Sequence, residues 1–163
     1  EGNKISGVEL VQNNRLEDLY TLGSYYGDIN NNVVAAYEKE ILDFTNVFRV
    51  KKGLEPLKWN NAAANIARAH SKDMQTNNYF SHDSLNGKSK FDRIKSYGIK
   101  YEYAGENISM GNKTGILAFY SIWNNNEARE YMLFRGFERC GIGAVYTEEN
   151  PMYYPQIFYT PKK

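Results

Sequence analysis

His82 stands in the stretch NYFSHDS, residues 78–84, between an aromatic pair and small polar side chains. An imidazole just past the end of a helical pattern is free to act as a base, a metal ligand or a hydrogen-bonding strut. Glu106, in AGENI, is the carboxylate to test as its partner. Where a strand-like pattern meets a glycine, such a side chain can turn into a groove, orient an imidazole or hold its proton. The strut and a plain surface carboxylate stay open as structural alternatives. The second histidine, His70, shares a helical face with Ala63, Ile66, Ala67 and Met74 and reads as a core imidazole with one nitrogen bonded. The lone Cys140, in RCGIGAVY, cannot form an intramolecular disulfide and reads as a small buried apolar residue rather than a nucleophile. No Ser or Thr occupies a recognisable nucleophile elbow, and Cys140 is far in sequence from either histidine, so hydrolysis lacks an activated nucleophile.

The elements that must position these residues follow from periodicity. Tyr37, Ile41, Phe44 and Phe48 recur at helical steps from Val34 onward, and Gly53 after Lys51 and Lys52 supplies a stop. Pro56 keeps LEPLKWN extended. Asn60 caps a second helix, with Trp59 placed to staple its first turn. Ser89 and Asp92 have capping-box spacing for a short third helix that Gly98 ends. KYEYAGENISMG alternates as a strand that breaks up at Gly105, and Ile116, Phe119, Tyr120 and Trp123 mark a fourth helix. The segment CGIGAVYTEENPMYYPQIFYTP predicts two strands joined by a polar turn around Glu149, Asn150 and Pro151. Helices first and most strands late predict an α+β layered domain rather than a parallel βαβ fold.

A chain of 163 residues, 42% hydrophobic and 15% aromatic, has the size and apolar content of one globular domain. Residues 1–32, ending in GSYYGDINNN, read as an N-terminal arm or tether with a short helical pattern at Leu16, Leu19 and Tyr20, and residues 33–163 as the domain proper. The formal charge is +1 without a Lys/Arg block, which argues against a nucleic-acid partner. No apolar run reaches the roughly 20 residues that span a bilayer. The start EGNKISGVEL has neither the basic nor the apolar region of an export signal.

Five blocks, FTNVFRVKKGLEPLKWN, ARAHSKDMQTNNYFSH, YGIKYEYAGENISMG, IWNNNEAREYML and FERCGIGAVY, resemble in order and spacing the bacterial branch of the CAP superfamily. This is the SCP-like domain shared by cysteine-rich secretory proteins, antigen 5 and plant pathogenesis-related proteins. The resemblance runs from about Val33 to Tyr159. It implies a three-layer α-β-α sandwich with a central antiparallel sheet, usually exported. It also implies a cleft lined by two histidines and two acidic residues that in some members binds a divalent metal such as zinc. The first histidine falls on His82 and the glutamate of the GEN block on Glu106. The second histidine, expected in a GHRxNIL-like block, is replaced in EAREYML: Ala128 takes its place while Arg129 and Leu133 keep the register. Glu127 is the nearest candidate for the other acidic position.

A methyl group at Ala128 removes a strong donor from a site that normally needs about three ligands, so no metal or other cofactor is expected. The leading expectation is an exported or surface-attached, non-enzymatic domain binding a lipid, a sterol or a protein partner through its groove. The fourteen tyrosines suit such a surface, and equally a core or sheet face. A hydrolase acting on peptide or cell-wall material, with His82 as base and Glu106 as its partner, is the alternative, and an adhesin-like module working through the arm is a third reading. The scarcity of cysteine agrees with a bacterial member. An acylated cysteine before Glu1, with the arm as spacer, is the expectation for a lipid-anchored form.

Overall fold

The structure, a computed structural model, describes residues 29–163. The helical pattern at Leu16, Leu19 and Tyr20, and the arm as far as residue 28, lie outside these. Helix α1, Asn31–Lys51, starts at Asn30, whose side chain accepts the backbone N–H groups of Asn32 and Val33. It ends as expected: Gly53, at φ +69, gives its N–H to Val50 O while Leu54 N–H reaches Arg49 O. Strand β1 is Lys58–Trp59 and helix α2 is Asn61–Thr76, capped by the Asn60 side chain on Ala63 N–H. The Trp59 ring packs against the core under the Lys39 ammonium, and its Nε1–H donates to Asn61. Helix α3, Lys90–Ser96, carries the reciprocal Ser89–Asp92 capping box. Strand β2, Tyr101–Asn107, is followed by α4, Gly115–Trp123, by α5, Asn126–Leu133, and by strands β3, Arg139–Ile142, and β4, Gln156–Pro161.

The four strands form one sheet in the order β1-β3-β4-β2. It is antiparallel throughout except where β1 pairs parallel with the start of β3. Alternation along β3 and β4 sends side chains to two helical layers. Ile157 and Tyr159 meet Ala63, Ile66 and Ala67 of α2 and Ile94 of α3. On the other face Cys140, Ile142 and Phe158 join the core of α1, α4 and α5. There Phe48 stacks within 4.2 Å of Trp123 and 5.6 Å of Phe119. This is the three-layer arrangement expected.

Gly141 and Gly143 explain how α2 comes so close. A Cβ on Gly141 would lie 2.1 Å from Ala64 N, and one on Gly143 would lie 2.1 Å from Arg68 N, so the strand offers bare backbone where the helix crosses it. Buried Arg49 secures the opposite layer without a carboxylate partner among the described residues. Its Nε–H donates to Glu55 O at 2.8 Å and its terminal nitrogens to the carbonyls of Met132, Phe134 and Phe137, which fixes the chain after α5.

Two expectations need correction. β2 does not break up at Gly105 but continues to Asn107, pairing Gly105 with Phe158. The glycine is there because the Tyr131 ring would lie 2.6 Å from its Cβ, a close-packing role rather than a turn. The last two strands are shorter than their alternation suggests, and residues 143–155 form a long connection rather than a tight polar turn. Ser71 and Gln75 of α2 explain this, since they donate to the carbonyls of Tyr153, Val145 and Pro151 and hold the loop as irregular backbone.

Candidate functional site

The loop carrying His82 leaves α2 through Asn78, which takes φ +50 as Tyr79 N–H returns to Met74 O. Asparagine is the side chain after glycine that best tolerates this left-handed closure. His70, buried on α2 as expected, then fastens the loop. Its Nε2–H donates to Ser81 O at 2.9 Å, which leaves Nδ1 as a buried acceptor without a partner among the described residues. Tyr79 turns back to donate its hydroxyl to Asp73, and burial followed by that bond pushes the phenol up to about 12.

His82 Nδ1 lies 2.8 Å from Glu106 Oε1, and Arg93 Nη2 lies 2.8 Å from Glu106 Oε2. The Glu106 side chain is 0% exposed and that of His82 is 46% exposed. A buried carboxylate between a guanidinium and an imidazole fixes the ring: Nδ1–H faces Glu106, and Nε2 makes no hydrogen bond among the described residues. Arg93 also donates to His82 O at 2.9 Å and to Lys88 O and Ser84 Oγ at 3.3 Å, so one side chain of α3 sets both the carboxylate and the loop. The chemistry available at His82 is that of an oriented imidazole with one free nitrogen.

Ala128 and Glu127 lie on α5. Ala128 lines a cleft of about 270 Å³ with Phe80, Ile108, Ser109, Met110, Ser121, Ile122 and Asn125, and its carbonyl accepts from Asn107 Nδ2. Glu127 is exposed in the first turn of α5 and does not line this cleft. His82 and Glu106 are paired with each other and do not line it either, although Phe80 belongs to the His82 loop and Ile108 to Met110 continue from β2. Both Glu106 oxygens are engaged, Ala128 offers a methyl group, and among the described residues no three of His, Cys, Asp and Glu form a group able to hold a metal ion. This donor set does not fit a divalent cation.

Two features here escaped the sequence reading. Arg93 left only the trace of a base one residue after the capping-box Asp92. Helix α5 could have been found from Asn125, whose side chain caps it on Ala128 N–H.

The model of the CAP family, the cysteine-rich secretory protein family, matches residues 42–160. The chain belongs to this family. It is 42% identical over 112 residues to the Bacillus subtilis protein YkwD, an alignment covering 69% of this chain and 44% of that protein. It spans less than half the length of the curated relatives it matches. An extracellular SCP-domain protein of Bacillus anthracis superposes with TM-score 0.74 at 32% identity, over 82% of this chain and 45% of that one. An outer surface protein of Borrelia burgdorferi superposes with TM-score 0.73 at 17% identity, over 78% of this chain and 94% of that one, a likeness of fold. The CAP layers account for the positions of both histidines: α2 brings His70 beneath the loop, and β2 brings Glu106 to His82.

His70 makes the loop sensitive to acid. Burial is the main influence holding its imidazole below the usual value, with Arg93 of α3 acting in the same direction. Glu106 of β2, the bond to Ser81 and Asp73 of α2 oppose them. A histidine depressed in the folded state binds fewer protons than in the unfolded chain. Its contribution is therefore complete above the unfolded value, near pH 6.5, and is lost as pH falls below it. Thermal melts should show lower stability at pH 5 than at pH 7.5, and His70→Gln, which keeps an N–H for Ser81 O, should flatten that dependence.

Proposed function

We propose that this chain is an extracytoplasmic, non-enzymatic CAP domain that recognises a protein partner by taking one of its apolar side chains into the cleft beside Ala128. The observation that carries this reading is the cleft itself: Ile108, Met110, Ile122, Ala128 and Phe80 supply an apolar wall, with Ser109, Ser121 and Asn125 as polar points. Pockets that enclose whole drug-sized molecules run from roughly 300 to 1,000 Å³. A cleft of about 270 Å³ suits a large side chain or the end of an acyl chain better than a whole sterol. Its exposed lips, Phe80 and Met110, are the residue types enriched at protein interfaces. The oriented His82 is read as the brace of this loop, a degenerate remnant of the tetrad that the family resemblance implies. The extracellular and outer-surface proteins that share the fold support the location; the arm expected over residues 1–32 is shortened by α1, which begins at Asn31, and the segment before it is read as a tether, lipid-anchored in the fullest form of the proposal.

The test is binding of an apolar fluorophore such as N-phenylnaphthylamine to the whole chain. Ala128→Phe, which fills the cleft, is expected to weaken binding at least fivefold, and Glu127→Gln, outside the cleft, to leave it unchanged. Equal binding by the filled variant would refute the cleft. Turnover of casein or purified peptidoglycan that disappears in His82→Ala would replace recognition with hydrolysis.

A further inference from the structure

Three half-exposed rings gather at β2 and α5, none of them lining the cleft. Tyr103 of β2 is 46% exposed, Tyr131 of α5 39% and Phe134, just after α5, 42%. Tyr103 and Phe134 meet at 5.5 Å and 72°, forming a corner, and Tyr131 and Phe134 both back onto buried Phe137 at 6.4 and 4.9 Å. Two glycines are cleared to seat them: a Cβ on Gly105 would lie 2.6 Å from the Tyr131 ring, and one on Gly136 would lie 2.4 Å from the Phe134 ring. Packing explains the inner faces of these rings but not the outer faces left in water.

The charges beside them select the occupant. Glu127 precedes Tyr131 by one turn of α5 and shares its face, and Glu130 lies in the last turn of the helix, four residues before Phe134. Both are exposed, and among the described residues neither joins an ion pair. Basic side chains in this part of the chain include Arg135, exposed and next to Phe134, Arg129, which is engaged with Trp123 O and the Asn126 side chain, and exposed Lys162, just after the strand that pairs with Tyr103. Aromatic faces attract cations through their quadrupoles, and unpaired carboxylates add to that attraction.

We propose that the Tyr103–Tyr131–Phe134 corner is a docking site for a basic, lysine-bearing segment of a protein partner, with the ammonium against the rings and Glu127 and Glu130 drawing it in. None of these residues lines the cleft, so failure of either proposal leaves the other standing.

The probe is a Gly-Lys-Gly-Lys-Gly peptide added to the whole chain, with Gly-Glu-Gly-Glu-Gly as control, followed by NMR of the aromatic side chains. The lysine peptide is expected to shift the Tyr103, Tyr131 and Phe134 ring signals, and the glutamate peptide to leave them in place. Tyr103→Leu with Phe134→Leu keeps apolar bulk but removes two π faces, and should weaken binding about tenfold. Glu127→Gln with Glu130→Gln should weaken it about threefold, and less so at high salt. Equal shifts with both peptides, unchanged affinity in the leucine variant, or the same ring shifts with a neutral oligosaccharide would each overturn the proposal.

Discussion

Gly141→Ala is expected to destabilise the fold by about 3 kcal/mol or more and to lower the melting temperature by about 10 °C. The new methyl would lie 2.1 Å from Ala64 N, 2.4 Å from Ala63 C and 2.6 Å from Ala63 Cβ. Two of these three atoms belong to the backbone of α2, so no rotamer change relieves the contact; the helix must lift from the sheet. Lifting it loosens Ala63, Ile66 and Ala67 from Ile157 and Tyr159, and it moves the root of the loop that His70 fastens. Gly53 makes the control, because a Cβ there meets nothing within 4 Å and only its φ of +69 opposes a side chain. Gly53→Asn, which tolerates that conformation, should cost far less. Denaturant titration of both variants checks the pair; a Gly141→Ala protein as stable as the parent would mean that α2 does not pack on β3 as described.

The same contrast shows what could be read before any coordinates. Caps and stops were legible because they are local: Asn60, the Ser89–Asp92 box, Gly53 and Gly98 each act within a few residues. Gly105 was misread because a glycine in an alternating segment signals a turn and a close approach equally well, and only the Tyr131 ring, from another element, decides between them. β1 was invisible as a strand, since two residues carry no periodicity and their pairing depends on β3. At the site, the pairing of His82 with Glu106 was legible from a loop imidazole, a carboxylate on a strand-like segment and the family resemblance that joined them. Arg93 did not, because its role depends on where α3 lies over β2. Nor did the separation of that pair from the cleft at Ala128, which rests on how α5 meets the end of β2.

Glu106→Ala is the second large effect expected, about 3–5 kcal/mol, because it strands a buried cation. The Arg93 side chain is 10% exposed, and Glu106 is its only carboxylate partner among the described residues. Removing the carboxylate leaves the guanidinium desolvated, with bonds to His82 O, Lys88 O and Ser84 Oγ but no counter-charge. It also frees Nδ1 of His82, the contact that holds the ring in one tautomer. Two measurements separate these consequences. Nitrogen-15 NMR of the parent protein should find the neutral His82 ring with its proton on Nδ1, and of the variant, a mixture of tautomers. Denaturant unfolding should show that Arg93→Met added to Glu106→Ala recovers part of the lost stability, since a buried apolar side chain is tolerated where an unpaired charge is not. If the double variant were as unstable as the sum of the singles, the coupling would be absent, and the His82 loop would be held by His70 and its backbone bonds rather than by the ion pair.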